Sequence, residues 1–240
     1  MIVITFQRFE TFERLNLAMC GRKTLTKGEL EIIEELSVNE WEGEGDYQPS
    51  YNIAPAQNSP VMLYTVHRTV KLMRWGLIPS WSRGPDSRFS MINARSETVE
   101  EKPAYRNLIS RNRCVVISDG YYEWKKKDGG KQPYYIRYPD ESILPMAGLW
   151  DIWINPEGIP VHSYTIMTTD SAESISYIHP RMPVILEKEK LDQWIKTRDT
   201  TTFEAINLLK PYRRELEFYP VSKFVNSPQN NSPLCIQPLN

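Results

Sequence analysis

The sequence predicts one β-rich domain carrying a few amphipathic helices, and three observations predict it. Short β-branched or aromatic runs recur at residues 61–65, 70–74, 114–117, 134–137, 145–150 and 161–168, separated by turns that bear Pro or Gly. Helical patterns are few and short. The 240 residues, 40% hydrophobic and 25% charged, are enough for one sizeable core and have the composition of an ordinary globular protein.

Composition also narrows the function classes. No apolar run approaches the roughly 20 residues that span a bilayer, so membrane insertion is not expected. Cys20, Cys114 and Cys235 are odd in number and show no C-x-x-C spacing. This argues against a disulfide framework or zinc ribbon and for a reducing cytoplasm. His67, His162 and His179 have no ligand-like spacing with these cysteines, so neither a metal nor a cofactor is expected. The net charge of -1 hides an uneven distribution. Residues 1–67 carry 5 Lys+Arg against 10 Asp+Glu, residues 68–131 carry 14 against 7, and residues 132–240 carry 10 against 13. The basic middle suits a local phosphate-facing groove, although solvated surface leaves the same signature. The near-neutral total argues against broad coating of duplex DNA, which depends on neutralising many phosphates.

In chain order, residues 1–18 lack both a basic start and an unbroken apolar core, so they are not a secretory signal. They read as an N-terminal extension or a mis-called start. Met19-Cys20-Gly21-Arg22 follows. A cysteine directly after a methionine becomes a mature N-terminus if translation begins at that methionine, and it then carries a free α-amine, with a pKa of about 7.7–8.0, beside its thiol. Such an amine attacks an aldehyde, and the thiol closes onto the imine to give a thiazolidine, a ring that internal cysteines cannot form. A small buried residue near a chain start is the plain alternative. Thr26-x-x-Glu29 reads as a capping box for a helix over 26–36, with Leu30, Ile33 and Leu36 at helical spacing. Residues 41–50 read as an acidic, Gly-rich loop, and 61–65 with 70–74 as paired strands joined at His67. Trp75 and Trp81, set beside Gly76 and Pro79, suit a rigid loop whose exposed rings stack on unpaired bases, with core packing as the other outcome.

Pro103 predicts a helix running to about Arg111. The apolar run 114–117 reads as a buried strand in which Cys114 is an inert core residue. It leads into Gly120-Tyr121-Tyr122-Glu123-Trp124, where three aromatics flank one carboxylate. That setting desolvates Glu123 and favours proton transfer, whereas pairing with a nearby Arg or Lys would make it structural. Residues 125–131 form a basic hairpin turn. Around His179 and Arg181, Pro180 and Pro183 favour an extended loop, and His179 is the chain's best general acid or base. Helices are predicted over 188–195 and 202–209, the second with a capping box, Thr201-x-x-Glu204. The tail, 226–240, is rich in Asn, Ser and Pro, which predicts weak order.

Taken in order, MCGR, the IAP within YNIAP, WGLIPSW, NARSET, GYYEW and HPRMPVIL resemble the SOS-response-associated peptidase (SRAP) family of abasic-site processing proteins, from Met19 to about Val225. The resemblance implies a single α+β domain over 19–225, with a β-barrel-like core and peripheral helices, that binds single-stranded DNA containing abasic sites. It implies that Cys20, as a mature N-terminus, bonds the ring-opened deoxyribose as a thiazolidine and shields the site. Autoproteolytic exposure of Cys20 and abasic-site lyase activity belong to the same expectation. By motif, Asn93 would orient the α-amine or a sugar hydroxyl, Glu123 would move protons during imine formation, and His179 would assist ring opening and reversal. Arg22, Arg95 and Arg181 match DNA-contacting arginines, Trp81 and Trp124 would support flanking bases, and Thr168 would reach a phosphate. No membrane is implied. Replication-fork proteins as partners, a monomeric state and a nucleoid-associated cytoplasmic location complete the expectation.

Two departures bear on it. Members of that family usually carry an aromatic after the arginine of MCGR, where this chain has Lys23. More seriously, eighteen residues precede Met19, and with them attached Cys20 has an amide nitrogen that cannot form an imine. Two other readings stay open. One is a cysteine hydrolase with Cys20 as nucleophile, His179 as base and Asn93 as orienting group. The other is a non-catalytic reader of single-stranded DNA that uses the basic middle and the tryptophans, with Cys20 merely packed.

Overall fold

A computed structural model describes residues 21–43, 45–85 and 91–239. Residues 1–20, including Cys20 and the segment before it, lie outside the described residues. The fold is α+β, and its centre is a closed ring of five strands. β4 (Asn58–Tyr64) pairs with β5 (Arg68–Trp75) across the His67 turn, and β4 also pairs with β7 (Arg113–Val116). β7 pairs with β10 (Met146–Ile154), which pairs in turn with the long β11 (Pro160–Asp170). A parallel contact between β11 and β5, Ser163 opposite Arg74 and Tyr164 opposite Trp75, closes the ring. Their buried side chains, among them Val61, Met73, Val115, Leu149 and Ile166, form the main core.

A second, antiparallel sheet leans on the ring. It comprises β1 (Lys23–Leu25), β3 (Ser50–Ile53), β8 (Gly120–Lys127), β9 (Gly130–Arg137) and β13 (Glu217–Pro220), in the order β13-β9-β8-β1-β3. The hairpin between β8 and β9 turns at Asp128-Gly129, with Lys127 opposite Gly130, and both glycines have positive φ, as the basic stretch predicts. Gly120 is required for a different reason. A Cβ there would lie 2.3 Å from Tyr135 Oη, so only glycine lets β9 approach.

Short helices surround the sheets. α1 (Glu29–Leu36) buries Ile32 and Leu36, and between it and β3 the two-residue β2 (Glu40–Trp41) pairs with β5. The helix does not use Thr26 as its cap. Thr26 N–H and Oγ1 both donate to Asp119 Oδ2, and the chain turns into the helix at Gly28, whose N–H donates to Glu31 Oε2 at 2.7 Å. The buried Asp119 outcompetes the local motif. Only Leu108–Arg111, here α2, is helical in the stretch that begins at Pro103; residues 103–107 form turns. α3 (Leu191–Ile195) and α4 (Thr202–Ile206) sit near their expected places. In α4 the capping box forms as expected: Glu204 N–H donates to Thr201 Oγ1 at 3.3 Å and Thr201 N–H to Glu204 Oε2 at 2.9 Å. Thr201→Ala is expected to cost about 1 kcal/mol in a urea melt, without changing the slope.

The tail is ordered, contrary to the reading from its composition. Tyr122 and Tyr135 face away from the main core, and Val221, Val225 and Cys235 cover them as a small second cluster. Asn52 Nδ2 donates to the carbonyls of Ser227 and Asn230 at 2.9 and 2.7 Å, and Val221 bridges to Pro238. A few apolar anchors and one buried asparagine fix a segment whose overall polarity hides them. Among the described residues, no helix is long and apolar enough to cross a membrane.

Candidate functional site

The predicted site residues fall into two groups, and strand pairing explains each. β11 is long enough to outrun the ring. Beyond its contact with β5 it takes β6 (Asn93–Arg95) in parallel, with Asn93 opposite Ile166 and Arg95 opposite Thr168. It also takes β12 (Arg181–Pro183) antiparallel, with Asp170 opposite Arg181 and Thr168 opposite Pro183. Asn93, Arg95, Thr168 and Arg181, spread over ninety residues of sequence, therefore meet at one corner. Asn93 is half-buried and Arg95 exposed, while Thr168 is buried and its Oγ1 donates to the Ala94 carbonyl at 3.4 Å.

Arg181 organises this corner. Its guanidinium takes both oxygens of Glu97, at 2.5 and 2.9 Å, together with Asp170 Oδ1 and the Thr168 carbonyl, each at 2.8 Å. Partial burial alone would lower its pKa, but the two carboxylates outweigh that and hold it above the ordinary value. Glu97 is lowered in turn, chiefly by the hydrogen bond from Arg181. The fork is planar and bidentate, the geometry in which arginine pairs most strongly. His179 is set just before it. The Arg181 backbone N–H points at His179 Nδ1 at 3.2 Å, and because a peptide N–H can only donate, this contact favours the neutral tautomer with its proton on Nε2. The Arg181 carbonyl also lies 3.3 Å from Nδ1, and it is an acceptor only where Nδ1 carries the proton.

The second group lies on β1 and β8. Glu123 is 3% exposed, on the strand face it shares with Tyr121 and Lys125, directly opposite Tyr134 of β9. The loop before β12 reaches this same face. Tyr177 meets Tyr134 edge-on at 6.4 Å between ring centroids, and Lys125 Nζ sits 4.2 Å from the centre of the Tyr177 ring. That packing brings the loop bearing His179 onto the Glu123 side of the second sheet. β1 pairs antiparallel with β8, Lys23 opposite Tyr121, and Tyr122 N–H donates to the Arg22 carbonyl at 3.0 Å. Read backwards from Lys23, the chain therefore runs towards Glu123, and the residue bonded to Gly21 is Cys20.

Other predicted residues are placed differently. The expectation for Arg22 puts it on DNA, but its side chain is turned inward. Nη1 donates to Asn52 Oδ1 at 2.8 Å and to the Val225 carbonyl at 3.0 Å, and burial lowers its pKa. Trp124 is half-buried on the opposite face of β8 from Glu123, with Nε1 donating to Asn226 Oδ1 at 2.9 Å. The two tryptophans of WGLIPSW divide. Trp75 is fully buried and stacked with Tyr164, whereas Trp81 is 67% exposed. The Trp81 loop is pinned by Ser80 N–H to Asp151 and by Ile78 N–H to Ser163 Oγ.

Sequence reasoning passed over Glu97 and Asp170, and noted Lys23 only as a departure from the family's usual aromatic. Glu97 lies within the NARSET motif, and only the parallel β6–β11 register reveals that it faces Arg181. Lys23 is fully buried, its Nζ donating to the Ile117 carbonyl at 2.9 Å. Burial, opposed by nearby Asp119, brings its pKa down to about 7. Cys114 and Cys235 are buried, and burial raises the pKa of both thiols, as expected of inert residues. Among the described residues, no group of three His, Cys, Asp or Glu is arranged to hold a metal.

Known proteins share this fold and sequence. "Abasic site processing protein YoqW" of Bacillus subtilis (strain 168) is 42% identical over 223 residues, covering 91% of this chain and 99% of that protein. "Abasic site processing protein HMCES" of Gallus gallus is 37% identical over 263 residues, covering 92% of this chain and 78% of that one. A crystal structure of a Bacteroides thetaiotaomicron protein superposes with a TM-score of 0.82 at 28% identity, over 92% of this chain and all of the other. The model of the SOS response associated peptidase (SRAP) family matches residues 19–228, and the chain belongs to that family.

Proposed function

We propose that this protein recognises abasic sites in single-stranded DNA and crosslinks to them through Cys20, presented as a mature N-terminus. The observation that carries the reading is the β1–β8 register, which leads the Cys20 end of the chain towards the buried Glu123 and the loop that bears His179. The names of the relatives support the abasic-site part of this reading.

The chemistry balances without an oxidant or a metal. The neutral α-amine adds to the aldehyde of the ring-opened deoxyribose, and loss of one water gives an imine. The Cys20 S–H then adds across the C=N bond, sulfur to carbon and proton to nitrogen, closing the thiazolidine. Both steps need a proton carrier beside an uncharged amine. Glu123 would take this role, and His179, with its proton on Nε2, would donate to the sugar oxygen during ring opening. Asn93 would orient the amine or a sugar hydroxyl. Arg95, Trp81 and Trp124 would contact the strand on either side, and the buried Thr168 would hold the Ala94 carbonyl beneath it. Arg181 would meet a phosphate in exchange for Glu97 or Asp170, and Arg22 would act mainly by tying β1 to the tail.

The test is to mix protein beginning at Cys20 with single-stranded DNA carrying one abasic site and look for a heat-stable shift on a denaturing gel. The parent is expected to crosslink and Cys20→Ala to give none; equal crosslinking by the two sinks the reading. The word peptidase in the family's description favours a related activity, self-cleavage before Cys20 that frees the amine. Sequencing the N-terminus of incubated full-length protein tests it, and persistence of Met1 in active protein counts against it.

A further inference from the structure

A surface beside this site has no role in the chemistry above. Tyr177 is 50% exposed, although it touches three neighbours: Tyr134, Phe218 at 6.0 Å and 66° between ring planes, and Lys125. Phe218 of β13 and Tyr134 of β9 are themselves only partly buried. The ring is therefore held in place at low entropy cost while half of the residue stays in water. Among the described residues Lys125 makes no ion pair; its ammonium rests on the Tyr177 ring instead of on a carboxylate. An exposed, immobilised aromatic next to a cation that has no carboxylate partner is the combination that holds a nucleotide of a single strand, base on ring and phosphate on cation.

We propose that Tyr177 and Lys125 form a subsite for the nucleotide adjoining the abasic position, with the unpaired base stacked on Tyr177 and its phosphate near Lys125. The proposal rests on the single-strand reading above and extends it. Its location supports that occupant over a protein side chain, because Lys125 shares a strand face with Glu123 and Tyr177 precedes His179 by two residues. A strand whose sugar lies between Glu123 and His179 has to leave the site past one of its edges, and this edge is aromatic and positively charged. The pairing depends on this chain's own residues, since Tyr177 lies outside the motifs that carry the family resemblance.

The experiment measures equilibrium binding by fluorescence anisotropy, using full-length protein and single strands that carry a tetrahydrofuran analogue of the abasic sugar. The analogue has no aldehyde, so the state of the Cys20 nitrogen does not enter. Two further strands lack the base on the 5′ or the 3′ side of the analogue. Tyr177→Ala is expected to weaken binding about tenfold on the strand with both flanking bases. The loss should disappear on one of the two strands lacking a flanking base, which identifies the side. Tyr177→Phe should stay within about twofold of the parent. Lys125→Gln should weaken binding on every strand and lower the salt dependence by roughly one phosphate contact. The proposal is overturned if Tyr177→Ala binds like the parent, or if it loses the same factor whether or not a flanking base is present, which would mark Tyr177 as a loop anchor only. Failure of the function itself reads differently: the parent would then form no crosslink with abasic DNA, while these affinities would still report on the subsite.

Discussion

Replacing Lys23 with methionine is expected to stabilise the fold by about 3 kcal/mol at pH 6 and to give no gain near pH 10. In the folded protein the Lys23 side chain is fully buried on β1 and its pKa falls to about 7, with desolvation the main cause. In the unfolded chain the same group titrates near 10.4. The folded pKa is the lower one, so between about pH 7 and 10.4 the unfolded chain binds more protons and stability rises with pH. Below pH 7 the penalty is present in full, about 5 kcal/mol for a shift of this size. Methionine removes it but leaves the Ile117 carbonyl without its donor, at a cost of roughly 1–3 kcal/mol. Urea melts of parent and variant at pH 6, 8 and 10 should converge and then cross; parallel curves would mean that Lys23 stays charged. Lys23 is the position where the resemblance leads one to expect an aromatic, and its neutralisation lets a lysine occupy a site otherwise suited to an apolar ring.

The other large effect concerns the nitrogen of Cys20. A chain that keeps residues up to Met19, with processing blocked, is expected to show no heat-stable crosslink to abasic single-stranded DNA. The peptide nitrogen has its lone pair delocalised into the preceding carbonyl and cannot attack an aldehyde. The thiol alone gives a hemithioacetal, which reverts when the sample is heated. Trimming the same protein to begin at Cys20 should restore the crosslink. Equal crosslinking by blocked and trimmed chains would mean that some other nucleophile forms the bond.

Much of the fold was legible because its signals are local. The runs at 61–65 and 70–74, the basic hairpin, the inert Cys114 and the Thr201 cap follow from residues within ten positions of one another, and the structure has them all. What escaped depends on distant partners. The ring closes through β5 and β11, about ninety residues apart in sequence. Asp119 draws Thr26 away from the helix cap, and Asn52 with Cys235 orders a tail that composition assigns to weak order. The site divides in the same way. The resemblance nominated Asn93, Glu123, Thr168, His179 and Arg181 as candidates, but not which of their charges are engaged. The carboxylates on Arg181 and the inward turn of Arg22 follow from strand register and tail packing, which leave no mark at the motif itself.

The most direct test is to digest the crosslinked complex with trypsin and nuclease and to map the sugar remnant by mass spectrometry. The proposed function predicts a single modified peptide, Cys20-Gly21-Arg22, carrying the deoxyribose less one water, with a Cys20 thiol that no longer alkylates because sulfur and nitrogen share the same carbon. A remnant on a lysine, or on a Cys20 whose thiol still reacts, would contradict it.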